Sequence, residues 1–291
     1  MENSHHDKNA PPGAFALSID VEDYFQVWAF SDVITRKSWD GFELRVGETT
    51  RRCLDLFDQH RAKATFFILG WVAERDRALI REIYARGHEV ASHGYDHTKV
   101  FEQSRTAFAE DVSKTKKILE DISGAAVTGY RAAGFSINSD TPWAHDVLLE
   151  CGHRYSSSSH PISHDHYGDP TAQRGPYKPI SGASFIEAPV ATVDIFGRRV
   201  SCAGGGWFRA TPTPISKWMM ARAARTIDGP VIFYFHPWEI DSDQPRISGA
   251  SRKARLRHYL NIDRMHGKLS SMLGEHDWAR IDASLSIEAA A

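Results

Sequence analysis

The feature that most constrains this chain is a regular exchange between short apolar runs and segments with helical spacing. PheAlaLeuSerIle (15–19) reads as a buried strand, and Val46, Thr50, Cys53, Leu54 and Phe57 then recur at helical intervals. A strand at 64–69, a helix carrying Leu79, Ile80, Ile83 and Tyr84, and a strand at 88–92 follow, the last introduced by the ArgGly pair at 86–87. A helix from about Arg105 to Asp121 leads to a strand near 127–131, and another helix follows Pro142. Further strands are expected at 154–156, 185–190 and 230–235. Repeated βα units place parallel strands side by side through right-handed crossovers, and seven or eight such units close into an α/β barrel.

A barrel of this kind accommodates all 291 residues undivided. With 42% hydrophobic and 25% charged residues, the chain has enough apolar material for a large core. No repeat or Pro-rich linker divides it. Residues 15–285 are therefore read as one domain, with a flexible N-terminus over 1–14 and a C-terminal extension from about 204.

A net charge of −2 without a Lys/Arg block gives no footprint for nucleic acid or an anionic membrane. The longest apolar runs, such as 64–70, fall far short of the roughly 20 residues of a membrane span. The first residues lack the basic start and apolar stretch of a signal peptide, so a cytoplasmic location is expected. Cys53, Cys151 and Cys202 are odd in number and widely spaced, which argues against a disulfide framework and a thiolate zinc site.

In such barrels the loops that follow the strands converge on one mouth. Polar clusters fall at those strand ends: AspValGluAsp (20–23), SerHisGlyTyrAspHis (92–97), TyrArg (130–131) and HisProTrpGlu (236–239). His93 and His97, four apart in one turn, have the spacing at which two imidazoles bind one divalent ion, although such a pair also arises by chance. Asp20, Glu22 and Asp23 would repel one another without a compensating cation. Two histidines and one carboxylate form a set that leaves a coordination position open. His236 is placed to protonate a leaving group, and Arg131 to hold a carboxylate ionised by a charge-assisted hydrogen bond. A satisfied core histidine and an ordinary salt bridge are the alternatives.

Taken in order, SerIleAspValGluAspTyrPhe, SerHisGlyTyrAspHis, GlyTyrArgAlaAlaGlyPheSerIle and TyrPheHisProTrpGluIleAsp resemble the successive motifs of the polysaccharide deacetylase family with the NodB homology domain. GlyGlyGlyTrpPheArg and ArgHisTyrLeuAsnIleAspArg resemble the C-terminal region of a bacterial subgroup linked to exopolysaccharide and exosortase loci. The resemblance implies a distorted (β/α) barrel with one divalent ion, usually zinc, that removes acetyl groups from N-acetylated sugars. It also implies association with a polysaccharide assembly system.

By position, the resemblance makes Asp20 the general base, Arg131 its orienting partner, His236 the general acid, and His93 and His97 metal ligands. The family's commonest form has two adjacent aspartates. Here Val21 intervenes, as in members with one inserted residue, which makes Glu22 the expected third ligand and Asp23 its rival. Where the family usually has proline two residues after the arginine, this chain has Ala133.

The chemistry implied is metal-assisted amide hydrolysis. Trp207, Phe208, Trp238 and Tyr167, with Trp28, are candidates for stacking on sugar rings. His160, His164 and His166 are read as a polar loop rather than a second metal site. Two rival functions stand beside this one: hydrolysis of a non-sugar amide or cyclic imide, and polysaccharide binding without catalysis.

Overall fold

The computed structural model describes residues 15–163 and 168–287. Its elements run β1 (Phe15–Val21), α1 (Val46–His60), β2 (Ala64–Ile68), α2 (Gly70–Arg75), α3 (Arg77–Ala85), β3 (Glu89–Ser92) and α4 (Arg105–Ser123). Next come β4 (Gly129–Tyr130), α5 (Trp143–Glu150), β5 (Tyr155–Ser156), β6 (Ile186–Glu187), β7 (Thr192–Ile195), β8 (Arg198–Ser201), α6 (Gly205–Ala210) and α7 (Thr213–Thr226). The chain ends with β9 (Val231–Phe235), α8 (Arg252–Tyr259), α9 (Ile262–Leu273), β10 (Trp278–Ala279) and α10 (Ile281–Ser284).

Seven parallel strands, in the order β9, β1, β2, β3, β4, β5, β6, curl into an open barrel; β10 pairs with Phe15 and Ala16 at the start of β1. Strands buried on both faces have no solvent side to alternate with, so they read as continuous apolar runs. All seven residues of β1 and all five of β9 are buried. The polar Ser18 inside β1 is satisfied, its Oγ donating to the Phe233 carbonyl at 3.0 Å.

The two edges of the sheet approach one another beyond β6. Ala191 N–H donates to the Ile232 carbonyl at 3.0 Å, and Tyr234 N–H donates to the Ala203 carbonyl at 2.6 Å. At Gly204, φ is +120° and a Cβ would stand 1.8 Å from the Tyr234 carbonyl oxygen, so only glycine fits against β9 there.

Helix ends follow local chemistry. Ser104 accepts from Ala107 N–H at the start of α4, whose end is Gly124 in the left-handed region. The basic stretch ArgLysAlaArgLeuArgHisTyrLeu (252–260) reads in sequence as the start of one helix packed through Leu256, Tyr259, Leu260 and Leu269, and the structure differs. The segment is two helices, broken at Asn261 (φ +52°), and Leu256 and Leu260 face solvent while His258 is buried. Tyr259 and Leu269 do pack on the core. The three cysteines are free; Cys53 and Cys202 are buried and Cys151 is partly exposed. Among the described residues no helix is long and apolar enough to cross a membrane.

Candidate active site

The end of β1 and the loops after β1, β3, β4 and β9 bring Asp20, Glu22, His93, His97, Arg131 and His236 to one mouth. A carboxylate oxygen of Glu22 and one ring nitrogen each of His93 and His97 lie within 4.8 Å of one another. Glu22 Oε2 is buried without a hydrogen-bond donor and stands 3.0 Å from His97 Nε2.

His93 Nδ1 lies 2.8 Å from the Arg131 carbonyl. A carbonyl only accepts, so Nδ1 carries the proton and Nε2 keeps its lone pair. Burial holds both imidazoles in the neutral form, lowering His97 to about 4 against the pull of Glu22 and lowering His93 against the pull of Asp20. Two neutral imidazoles beside an orphaned carboxylate oxygen are a donor set that fits one divalent cation.

The loop carrying the histidines is held from outside. Tyr95 N–H donates to the Asp111 carboxylate at 3.1 Å, and Gly70 and Trp71 at the start of α2 donate to the carbonyls of Gly94 and Tyr95. His97 itself has φ +62°, in the left-handed region that few non-glycine residues occupy.

Asp23, the rival ligand, is engaged elsewhere. Its Oδ2 accepts from Arg45 N–H at 2.7 Å and Val46 N–H at 2.9 Å, which caps α1, and its Oδ1 accepts from Tyr24 N–H. The acidic loop thus divides its labour, with one carboxylate at a helix start and two at the mouth.

Arg131 is fully buried and forms a hub. Its Nη1 donates to Asp20 Oδ1 at 2.7 Å and to Ser18 Oγ at 2.9 Å, while Nε and Nη2 donate to the Ser157 carbonyl and hydroxyl. Burial works to raise the Asp20 pKa, but Arg131, His93 and His236 together bring it below the ordinary carboxylate range. Asp20 is therefore ionised, with Oδ1 tied to Arg131 and Oδ2 3.9 Å from His236 Nε2. In the loop that follows, where Ala133 stands, Ala132 N–H donates to Ser158 Oγ at 2.9 Å and pins the backbone.

His236 Nε2 also lies 3.4 Å from Glu22 Oε1, and its Nδ1 donates to Glu239 Oε1 at 2.8 Å. Burial opposes the charged ring, yet Glu22, then Glu239 and Asp20, outweigh it and raise the pKa to about 9. Glu239 is buried as well. Its Oε2 accepts from Arg209 Nε at 2.6 Å, and Arg209 and His236 keep its pKa low against the effect of burial.

Arg209 in turn donates to the carbonyls of Arg257, His258 and Leu260. The relay adds Arg209 and Glu239, which no sequence motif singles out, to His236. Both new members lie inside quoted motifs, but nothing in their spacing pairs residues 30 positions apart. Glu239→Gln keeps the shape and removes the charge, so the His236 pKa falls. The alkaline limb of a pH–rate profile is expected to move down by about one pH unit, as loss of a charge-assisted hydrogen bond implies.

The aromatic candidates divide. Trp207 is 39% exposed. Phe208 is buried edge-on against Phe233, so it is a core residue and not a sugar platform. Trp238 is buried between His236 and His258, stacked on the latter at 4.1 Å, and supports the imidazole rather than offering a free face. Tyr167, His164 and His166 lie outside the described residues. His160 is buried, with Nε2 3.1 Å from Ser201 Oγ.

Two family models match consecutive stretches of the chain. "Polysaccharide deacetylase" covers residues 38–156, and "Domain of unknown function (DUF3473)" covers residues 157–286. The second stretch supplies β6, β9 and the Arg209, Glu239, His236 relay, so both contribute to one sheet and one mouth.

The chain is 34% identical over 79 residues to a peptidoglycan-N-acetylglucosamine deacetylase of Bacillus cereus, covering 27% of this chain and 29% of that protein. It is 30% identical over 107 residues to a peptidoglycan deacetylase of Helicobacter pylori (37% and 36%) and 30% identical over 95 residues to a chitooligosaccharide deacetylase of Bradyrhizobium sp. (33% and 41%). These matches span less than half the length of each relative. A Mycobacterium smegmatis structure assigned to the polysaccharide deacetylases superposes with a TM-score of 0.61 at 20% identity, covering 95% of this chain and 91% of that one, a likeness of fold.

Proposed function

We propose that this chain, whose residues 38–156 belong to the polysaccharide deacetylase family, is a metal-dependent hydrolase of the N-acetyl amide of a sugar. The substrate in this reading is a bacterial polysaccharide or its precursor, and acetate is released. The observation that carries it is the meeting of three groupings at one mouth: the triad Glu22, His93, His97; the ion pair Asp20–Arg131; and the pair His236–Glu239. The resemblance of the C-terminal motifs to the exopolysaccharide-linked subgroup supports association with a polysaccharide assembly system.

Glu22, His93 and His97 would hold a divalent ion, zinc in our reading, which when bound supplies the charge that polarises the acetyl carbonyl and acidifies water. Asp20, kept ionised by Arg131, accepts the proton of the attacking water as general base. Protonated His236, held by Glu239, gives a proton to the sugar nitrogen as the carbon–nitrogen bond breaks, so a neutral amine departs and the acetyl carbon leaves as acetate. Arg131 and Glu239 do not touch substrate; they fix the charge and direction of the base and acid.

Acetate release from N-acetylhexosamine oligosaccharides, set against a panel of small amides and cyclic imides, tests the substrate class. The expected result is turnover of the saccharides alone. Turnover confined to the small amides would overturn the sugar reading, and binding without turnover of anything would make the protein a non-catalytic binder.

A further inference from the structure

The rim of the mouth holds a cation that this chemistry does not use. Lys99 stands two residues beyond His97, and its Nζ lies 3.1 Å from the centroid of the Trp28 ring and 5.3 Å from that of Phe101. Its stem passes Gly134, where a Cβ would meet Lys99 Cε at 3.5 Å. One side chain thus joins the loops that follow β1, β3 and β4, the same loops that carry Glu22, His97 and Arg131.

Lys99 is only 5% exposed, yet among the described residues it makes no ion pair; Glu102, on the same turn, acts on it at longer range. Trp28 remains 40% exposed and Phe101 51% exposed. A largely desolvated ammonium group with aromatic rings as its near neighbours lacks the counter-charge that burial ordinarily requires.

The turn carrying Trp28 is backed by a basic segment, while Glu102 and Asp32 lie exposed beside Lys99 and Trp28. That turn packs through Phe30 on His258 and Tyr259 of α8. From Arg246 to Ile262 the chain has no Asp or Glu, and Arg252, Lys253 and Arg255 are exposed.

We infer that Lys99 and Trp28 form a subsite for an anionic group on the sugar next to the one that loses its acetyl. Trp28 offers a flat face to the ring, and Lys99 offers its ammonium to a carboxylate or phosphate. The inference rests on the deacetylase reading for the neighbouring sugar, and it makes the preferred substrate an acidic N-acetylated saccharide.

The test compares the intact protein with Lys99→Met and Lys99→Arg on two substrates of equal length. One is a neutral N-acetylglucosamine oligosaccharide and the other alternates N-acetylglucosamine with glucuronate. In the wild type the acidic substrate is expected to have a kcat/KM roughly tenfold or more above the neutral one, the size of one charge-assisted hydrogen bond. Lys99→Met brings that ratio toward unity with the loss falling on KM rather than kcat, and Lys99→Arg retains most of it.

N-acetylglucosamine 1-phosphate and glucuronate, each added as competitor, show which anion the subsite prefers. Calorimetric binding of the glucuronate oligosaccharide by wild type and Lys99→Met gives a readout that survives failure of the deacetylase reading, because it needs no turnover. Weaker binding by Lys99→Met alone supports the subsite even then. A wild type that treats acidic and neutral saccharides alike, or equal loss of both in Lys99→Met, would overturn it.

Discussion

Asp20→Asn is expected to lower turnover by roughly a hundred- to ten-thousandfold, the range of general acid–base catalysis, while the metal content stays at the wild-type level. The substitution is nearly isosteric, and the amide oxygen still accepts from Arg131 Nη1, which lies 2.7 Å from Oδ1. What disappears is the charge that accepts a proton. The triad Glu22, His93, His97 does not include Asp20, so the cation remains.

The buried guanidinium of Arg131 loses the carboxylate it pairs with among the described residues, which costs stability. Its hydrogen bonds to Ser18 and Ser157 persist and hold the side chain in place. Turnover of the folded fraction, with metal measured on the same preparation, separates the two effects. Loss of metal in Asp20→Asn would mean that base and ligand have been exchanged.

His93→Ala has the opposite signature: metal and activity go together. In the proposed reading one of three protein ligands is removed, and a contribution of several kcal/mol to carbonyl polarisation, on the order of a thousandfold in rate, is lost with the ion. The fold has reason to survive. His93 gives up one hydrogen bond to the Arg131 carbonyl, while Arg131 N–H still donates to the Ser92 carbonyl. A His93→Ala protein that keeps both its metal and its activity would remove the triad from the account.

Much of this arrangement was legible in the sequence, because buried parallel strands read as apolar runs and polar residues at their ends mark the mouth. β1 and β9 are the clearest cases, and the residues of the mouth follow them directly. Polar groups satisfied by distant partners were not legible. Asp23 sits beside Asp20 and Glu22 in sequence, but its carboxylate is taken up by α1 more than twenty residues later, a pairing fixed only by the folded chain. Arg209 and Glu239 are likewise brought together through α6 and the turn after β9, with no local spacing to announce them.

The aromatic candidates show the same limit. Composition cannot tell Phe208, which is core, from Trp207, which is half-exposed on the same short helix. The β7–β8 hairpin did carry a local signal in PheGly (196–197), both at positive φ as a two-residue type I′ turn requires, although phenylalanine is an unusual occupant of its first position.

The measurement that bears most directly on the central claim is acetate release from an N-acetylated oligosaccharide by one preparation as purified, after chelation, and after zinc is restored, with metal counted at each stage. About one ion per chain, activity lost with it and regained on zinc addition, is the result this account predicts. Full activity in metal-free protein would contradict it.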